Sequence, residues 1–187
     1  MKNLKTILCA LILAPFVLIS QEVEEVIVTA NKKAETVQEI PMNISVITEA
    51  TIEERGITNP EDYLRSIAGV STPGGSNYYT FRGLNTSTSH WSSGPSSTYI
   101  DEIGGSLMSL FDIERIEVLR GPQGTLYGSN AIGGTIRYIT NKPDSSSAYG
   151  KIRLGYGDKV KANDPETSIE MMYNMPLTDS LAVRAVY

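Results

Sequence analysis

Cysteine occurs once in the 187 residues, at Cys9, histidine once, at His90, and tryptophan once, at Trp91. Structural and catalytic zinc sites are built from several Cys and His side chains at close spacing, and nucleophilic triads need a base of the histidine kind. A single member of each type cannot supply either, so no catalytic residue, no metal ligand and no cofactor is expected. His90 reads as a loop residue or a substrate contact rather than a base, and Ser87, Ser89 and Asp101 nearby do not alter this. Basic residues are also the minority, 16 Lys and Arg against 21 Asp and Glu. That balance disfavours a nucleic-acid surface, which needs clustered cations to displace counterions. Beyond Ile19 no apolar run approaches the ~20 residues of a transmembrane helix.

The chain does begin with one apolar run. Lys2 and Lys5 precede a hydrophobic stretch over residues 7–19, followed by the small Ser20 and the acidic "QEVEE". This is the polarity of a secretory signal peptide over residues 1–20, and Pro15 inside the run argues against a buried helix. Cleavage after Ser20 removes two lysines and Cys9, so 14 basic residues face the same 21 acidic ones and the exported chain carries −7 and no thiol. Export without cysteine fits the periplasm or the outer membrane of a bacterium.

Residues 21–39 carry charges, one apolar patch "VIVTA" and no helical periodicity, and are expected to be flexible. The patch itself is open to two readings, a β-prone strand on a loose tether or a buried strand of the following domain. In "IPMNISVIT", Met42, Ile44 and Val46 alternate as in a strand. Thr48 caps a short helix that Gly56 stops; Asn59, with Pro60 at the first helical position and Asp62 beyond, starts a second that Gly69 ends. Residues 71–98 are rich in Gly, Ser, Thr and Asn, a long polar loop of the kind that binds something. "STYIDEI", "IERIEVL" and "TIRYITNKP" are strand-like, so residues 40–143 read as one α+β domain with a small mixed sheet and two short helices.

The stretch "GPQGTLYGSNAIGGT" at residues 121–135 has the glycine spacing of a phosphate loop. Gly134 stands where such a loop places its lysine, so the charge that grips the phosphates is missing. Close backbone packing is the alternative use of so many glycines.

"DSSSA" at 144–148 reads as a linker, after which the pattern changes. Ile152, Leu154 and Tyr156 oppose Lys151 and Arg153; Ile169, Met171 and Tyr173 oppose Ser168, Glu170 and Asn174; Leu181, Val183, Ala185 and Tyr187 oppose a face holding Arg184. Aliphatic and aromatic residues on one face, charges on the other, is the alternation of an outer-membrane barrel strand, although a two-sided soluble sheet has the same period.

These stretches in this order resemble the TonB-dependent outer-membrane receptors. "EEVIVTA" is similar to the TonB box, and "FRGL", "YIDEI", "IERIEVLRGPQGTLYGSNAIGGTIRYITNKP" and "PLTDSLAVR" resemble the plug and first barrel strands. The resemblance implies an α+β plug domain with a small mixed sheet and two short helices, followed by the first three antiparallel strands of an incomplete outer-membrane β-barrel over residues 149–187. It implies TonB as partner through Glu25, Val26, Ile27, Val28, Thr29 and Ala30, adding as a strand to a sheet edge of that partner. It also implies a small-molecule substrate, metal chelates such as a ferric siderophore among them, and contact of the barrel with outer-membrane lipid. Arg82 and Arg120 match the plug positions that pair with acidic groups of the barrel wall; without the family they are ordinary surface arginines. Tyr78, Tyr79, His90 and Trp91 are candidate substrate contacts, with loop packing as the alternative. Three strands cannot close a barrel, so the chain is expected to be truncated. In that form both arginines are expected to turn to water. A signalling receptor would carry a folded domain before the box, where only residues 21–23 lie, and a free soluble plug acting as a binding module is the remaining alternative.

Overall fold

The structure, a computed structural model, describes residues 26–72, 79–85, 96–105, 107, 109–128, 131–157 and 165–187. The first described strands, β1 (Ile27–Val28) and β2 (Glu35–Thr36), form a small antiparallel pair. Residues 26–39 were expected to be flexible and are instead folded onto the domain. The physical reason is a second hydrophobic core, in which Val28 and Ala30 are fully enclosed with Ile40, Leu119, Tyr127 and Ala131. Met42, Ile44 and Val46 line its side, so the alternating face read from "MNISV" is the face that residues 26–30 cover.

The main sheet contains β3 (Asn43–Thr48), β7 (Ser96–Ile100), β8 (Ile103–Gly104), β9 (Ile113–Arg120) and β10 (Gly134–Thr140), in the spatial order β3-β9-β10-β7-β8. It is mixed: β10 runs parallel to β7 and every other neighbour is antiparallel. One face packs on Tyr63, Leu64 and Phe81 through Ile116, Val118, Ile136 and Tyr138, and the other carries the second core. β9 and β10 are covered on both sides, which is why they hold so few exposed positions.

Two capped helices sit where expected. The Thr48 hydroxyl accepts from the Thr51 amide at the start of α1 (Glu49–Glu54), and Gly56 takes φ +60 beyond its end. Asn59 accepts from the Asp62 amide at 3.2 Å at the start of α2 (Pro60–Leu64). This helix stops at Leu64, not near Gly69. Ser66 and Ile67 donate to carbonyls three residues back, and this tighter winding turns Ile67 and Val70 into the core. A four-residue helix, α3 (Gly124–Tyr127), lies inside the glycine-rich stretch and was not anticipated.

A phosphate loop leads into a helix, but here the glycines lead into strand β10. A Cβ on Gly134 would lie 2.6 Å from the Leu119 carbonyl oxygen and 2.6 Å from the ring of Phe81. Close approach is therefore what Gly134 provides. Phe81 comes from a three-stranded meander of β4 (Val70–Ser71), β5 (Thr80–Phe81) and β6 (Leu84–Asn85). Arg82 at φ +48 and Gly83 at φ +85 make the two-residue turn of its last hairpin.

Strands β11 (Tyr149–Gly157), β12 (Glu166–Thr178) and β13 (Leu181–Val186) form a separate antiparallel sheet with a two-residue turn at Asp179 and Ser180. Residues 144–148 join it to the α+β domain, and Asn174 pins them. Its side chain accepts from the Asp144 amide at 2.9 Å and donates to the carbonyls of Asp144 and Ser147 at 2.8 Å each.

Gly134→Ala forces the Phe81 ring or the β9 backbone to shift, and the expected cost is about 1–3 kcal/mol. Hydrogen exchange across β9 and β10 measures it. Protection unchanged from the parent would show that the close contact has slack.

Candidate functional site

A carboxylate at the middle of the sheet organises the segment around Thr29. Glu117 lies on β9, fully buried, on the face that β1 covers. Arg137 stands directly opposite it on β10 and donates to its second oxygen at 2.5 Å. Arg115, two residues earlier on the same face, donates through Nε to its first oxygen at 2.9 Å. That first oxygen also accepts the backbone N–H of Thr29 at 3.0 Å. The Thr29 hydroxyl then accepts from Arg137 at 3.1 Å and from Arg115 at 3.3 Å. A buried carboxylate needs its charge matched, and here two guanidiniums match it while a backbone amide completes its coordination.

Ala30, the next residue, is held from the other side. The Tyr127 hydroxyl donates to the Ala30 carbonyl at 2.5 Å, and Tyr99 donates to the Tyr127 carbonyl at 2.7 Å. Burial pushes the Tyr127 phenol up to about 12, against the opposing pull of the Arg137 charge, so it remains a donor at any physiological pH. Lys32 and Arg137 both lie over its ring, at 4.8 and 5.6 Å from the centroid. Outward of the cluster, Glu102 pairs with Lys32 and, at 2.9 Å, with Arg137. The Lys32 hydrogen bond, offset in part by burial and joined by the Arg137 charge, holds the Glu102 carboxyl below the usual range. Nothing in this arrangement activates a nucleophile; its groups grip backbone.

A second set of polar contacts joins the plug to the three-stranded wall. Arg184 on β13 makes a bidentate pair with Asp112 at 2.8 and 2.5 Å; Asp112 is buried and the Arg184 side chain is nearly so. Lys151 on β11 pairs with Glu49, at 3.0 Å, and with Glu53 on α1. Arg153 lies over the Phe111 ring at 5.0 Å, and Ser109 donates to Glu170. The opposite wall face is bare, with Ile152, Leu154 and Tyr156 at 68%, 73% and 75% exposure.

In these three strands the ion pairs join wall cations to carboxylates of the α+β domain. Arg120 was expected to turn to water and does not: it donates to the Ala68 carbonyl at 2.8 Å and to the Ser45 hydroxyl at 3.0 Å, because β9 delivers its side chain against the turn after α2. Arg82 is exposed at its hairpin turn, its stem against Gly69. Tyr79 is buried in the main core beside Tyr138, with burial raising its phenol, so it is not an outer-face contact. Glu25, Tyr78, His90 and Trp91 lie outside the described residues.

Sequence reasoning singled out residues 25–30 but missed Arg115, Glu117, Tyr127 and Arg137, which hold Thr29 and Ala30 in place. The available signal was charge within strands otherwise suited to burial on both faces, in "IERIEVL" and "TIRYIT".

A family model described as the TonB-dependent receptor plug domain matches residues 36–135. Over 86% of its length the chain is 36% identical to the iron-regulated outer membrane virulence protein of Vibrio cholerae, covering 26% of that protein. Over its full length it is 34% identical to the vitamin B12 transporter BtuB of Vibrio vulnificus, covering 31% of it. The pyoverdine-bound outer membrane receptor FpvA of Pseudomonas aeruginosa superposes with a TM-score of 0.67 at 25% identity, over 86% of this chain and 24% of that one. The chain thus spans about a quarter to a third of the length of the proteins it matches.

Arg184→Ala leaves the Asp112 carboxylate buried without its cation, and roughly 3 kcal/mol of local stability is expected to go with it. Faster hydrogen exchange at Leu110, Phe111 and Ile113 reports the loss, and unchanged exchange there would remove Arg184 as an anchor. The Glu102 pairs respond to acid. With its folded value depressed, their contribution is complete above the free glutamate value of about 4.3 and is lost as the pH falls through the lower folded value. Protection of the Lys32 amide, corrected for the intrinsic rate, should fall only on that acid side.

Proposed function

The chain belongs to the TonB-dependent receptor plug domain family, and on that premise we propose that it is the gating part of an outer-membrane receptor for energy-coupled uptake of a scarce small molecule, a ferric siderophore being the favoured class. The observation that carries this is the two-faced wall. Its charged face meets the plug through Lys151, Arg153 and Arg184, while its other face presents a continuous aliphatic and aromatic surface that lipid would cover. A water-soluble sheet would gain nothing by exposing Ile152, Leu154, Tyr156, Ile169 and Tyr173 together. The relatives carry the names of an iron-regulated outer membrane protein, a vitamin B12 transporter and a pyoverdine receptor, which favours a scarce, metal-bearing cargo.

Residues 25–30 are the segment we assign to TonB. β1 pairs with β2 through the polar groups of Val26 and Val28, since the Val37 amide donates to the Val26 carbonyl at 3.2 Å and Val28 faces Glu35. Successive residues of a strand offer their polar groups to opposite edges, so those of Ile27 and Thr29 face away from β2. That edge is where a strand of the partner can add. Arg82 and Arg120 are offered to acidic groups of the wall, and Tyr78, His90 and Trp91 to the cargo.

Ile27→Pro removes an N–H from that edge and leaves the bonds to β2 in place. Cells carrying this variant in the full-length receptor should bind radiolabelled ferric siderophore at the parental level and fail to accumulate it. Accumulation at the parental rate would overturn the TonB assignment.

A further inference from the structure

The edge of β1 that faces away from β2 is not free along its whole length. At Ile27 solvent reaches the segment: the residue is 57% exposed, and a cavity of about 360 Å³ lined by Val26, Ile27, Thr48, Glu114 and Arg115 lies beside it. Two residues on, the Thr29 amide is already donated to Glu117, and the Ala30 carbonyl is already taken by Tyr127. Both grips act on backbone, and both come from side chains of the plug itself rather than from strand pairing. We propose that Glu117 and Tyr127 are positioning residues that clamp the backbone of Thr29 and Ala30, so that docking of this segment and its pairing with a partner strand compete for the same polar groups.

Geometry makes the competition unavoidable. A strand running along residues 27–30 takes the groups of Thr29 on one edge or those of Ala30 on the other, because successive residues alternate. Whichever edge it uses, one clamped group must be surrendered. Pairing can therefore begin at Ile27 but cannot pass Thr29 until the clamp opens. The charge arrangement keeps opening reversible. When Thr29 leaves, Glu117 still holds Arg115 at 2.9 Å and Arg137 at 2.5 Å, so the charge-assisted bond from the Thr29 amide breaks while the carboxylate keeps both of its cations and no buried charge is stranded. Tyr99 on β7 and the rings and cations around Tyr127 keep the second jaw in place in the same way.

This inference rests on the reading of residues 25–30 as the TonB-engaging strand, and the test separates the two. In the full-length chain, Tyr127→Phe removes only the donated hydroxyl and keeps the ring under Lys32 and Arg137, while Glu117→Gln weakens the other jaw. Hydrogen exchange at Val28 and Thr29 is expected to rise about fivefold in each, the share of one hydrogen bond, with Ile116 and Ile136 protected as in the parent. Binding of the periplasmic domain of TonB should tighten by a similar factor as the docked fraction falls. If Glu117→Gln disrupts the sheet by weakening both arginine pairs, Tyr127→Phe decides alone. Parental exchange at Val28 and Thr29 in Tyr127→Phe overturns the clamp whatever TonB does. Raised exchange without a change in TonB affinity supports the clamp and overturns the assignment of the segment to TonB.

Discussion

A glutamate with no access to water has to be neutralised where it stands, and the architecture around Glu117 follows from that requirement. Arg137 lies opposite it in the register of β9 and β10, so slipping this pair by one residue would turn the arginine into the apolar core beside Ile116 and Val118 and leave the carboxylate facing Ile136 or Tyr138. The ion pair and the hydrophobic pattern specify the same register. Because β10 also pairs with β7, the register carries through to Tyr99 and to Glu102 beyond it. The same cluster then offers its remaining acceptor site to the backbone of Thr29. One buried charge thus sets the pairing of the central strands and provides the seat for the segment that the proposed function requires to leave.

The plug and the wall meet by a different rule. Their joint is polar, with ion pairs of Arg184 and Lys151, the Arg153 cation over an aromatic ring, and the amide of Asn174 closing the turn at 144–147. An apolar joint would bury area without direction, whereas paired charges and bidentate hydrogen bonds specify position. Each of these wall residues alternates along its strand with one that faces outward and is apolar, so a period of two residues divides the sheet into a face that meets the plug and an exposed apolar face.

The glycines show the limit of reading one stretch at a time. Their spacing over residues 121–135 suits a phosphate loop as well as a packing element, and a missing lysine was the only local evidence against the first. The structure decides on two grounds that no local pattern contains. Strand β10, not a helix, follows, and the ring of Phe81 comes from more than fifty positions earlier in the chain to lie against Gly134.

Short-range periodicity and capping chemistry were legible without coordinates. Thr48 and Asn59 cap their helices, Met42, Ile44 and Val46 share a face, and Lys151, Arg153 and Arg184 lie opposite the apolar residues of their strands, because each depends only on neighbours within a few positions. Contacts between distant segments were not legible. That "VIVTA" docks rather than hangs free, that Arg120 turns to Ala68, that Tyr79 is buried, and that wall cations meet plug carboxylates all depend on which segments the sheet brings together. A strand presents the same alternation to any neighbour. Only the neighbour decides whether a charge on it is solvated, paired or used as a seat, and that choice is made by the tertiary fold.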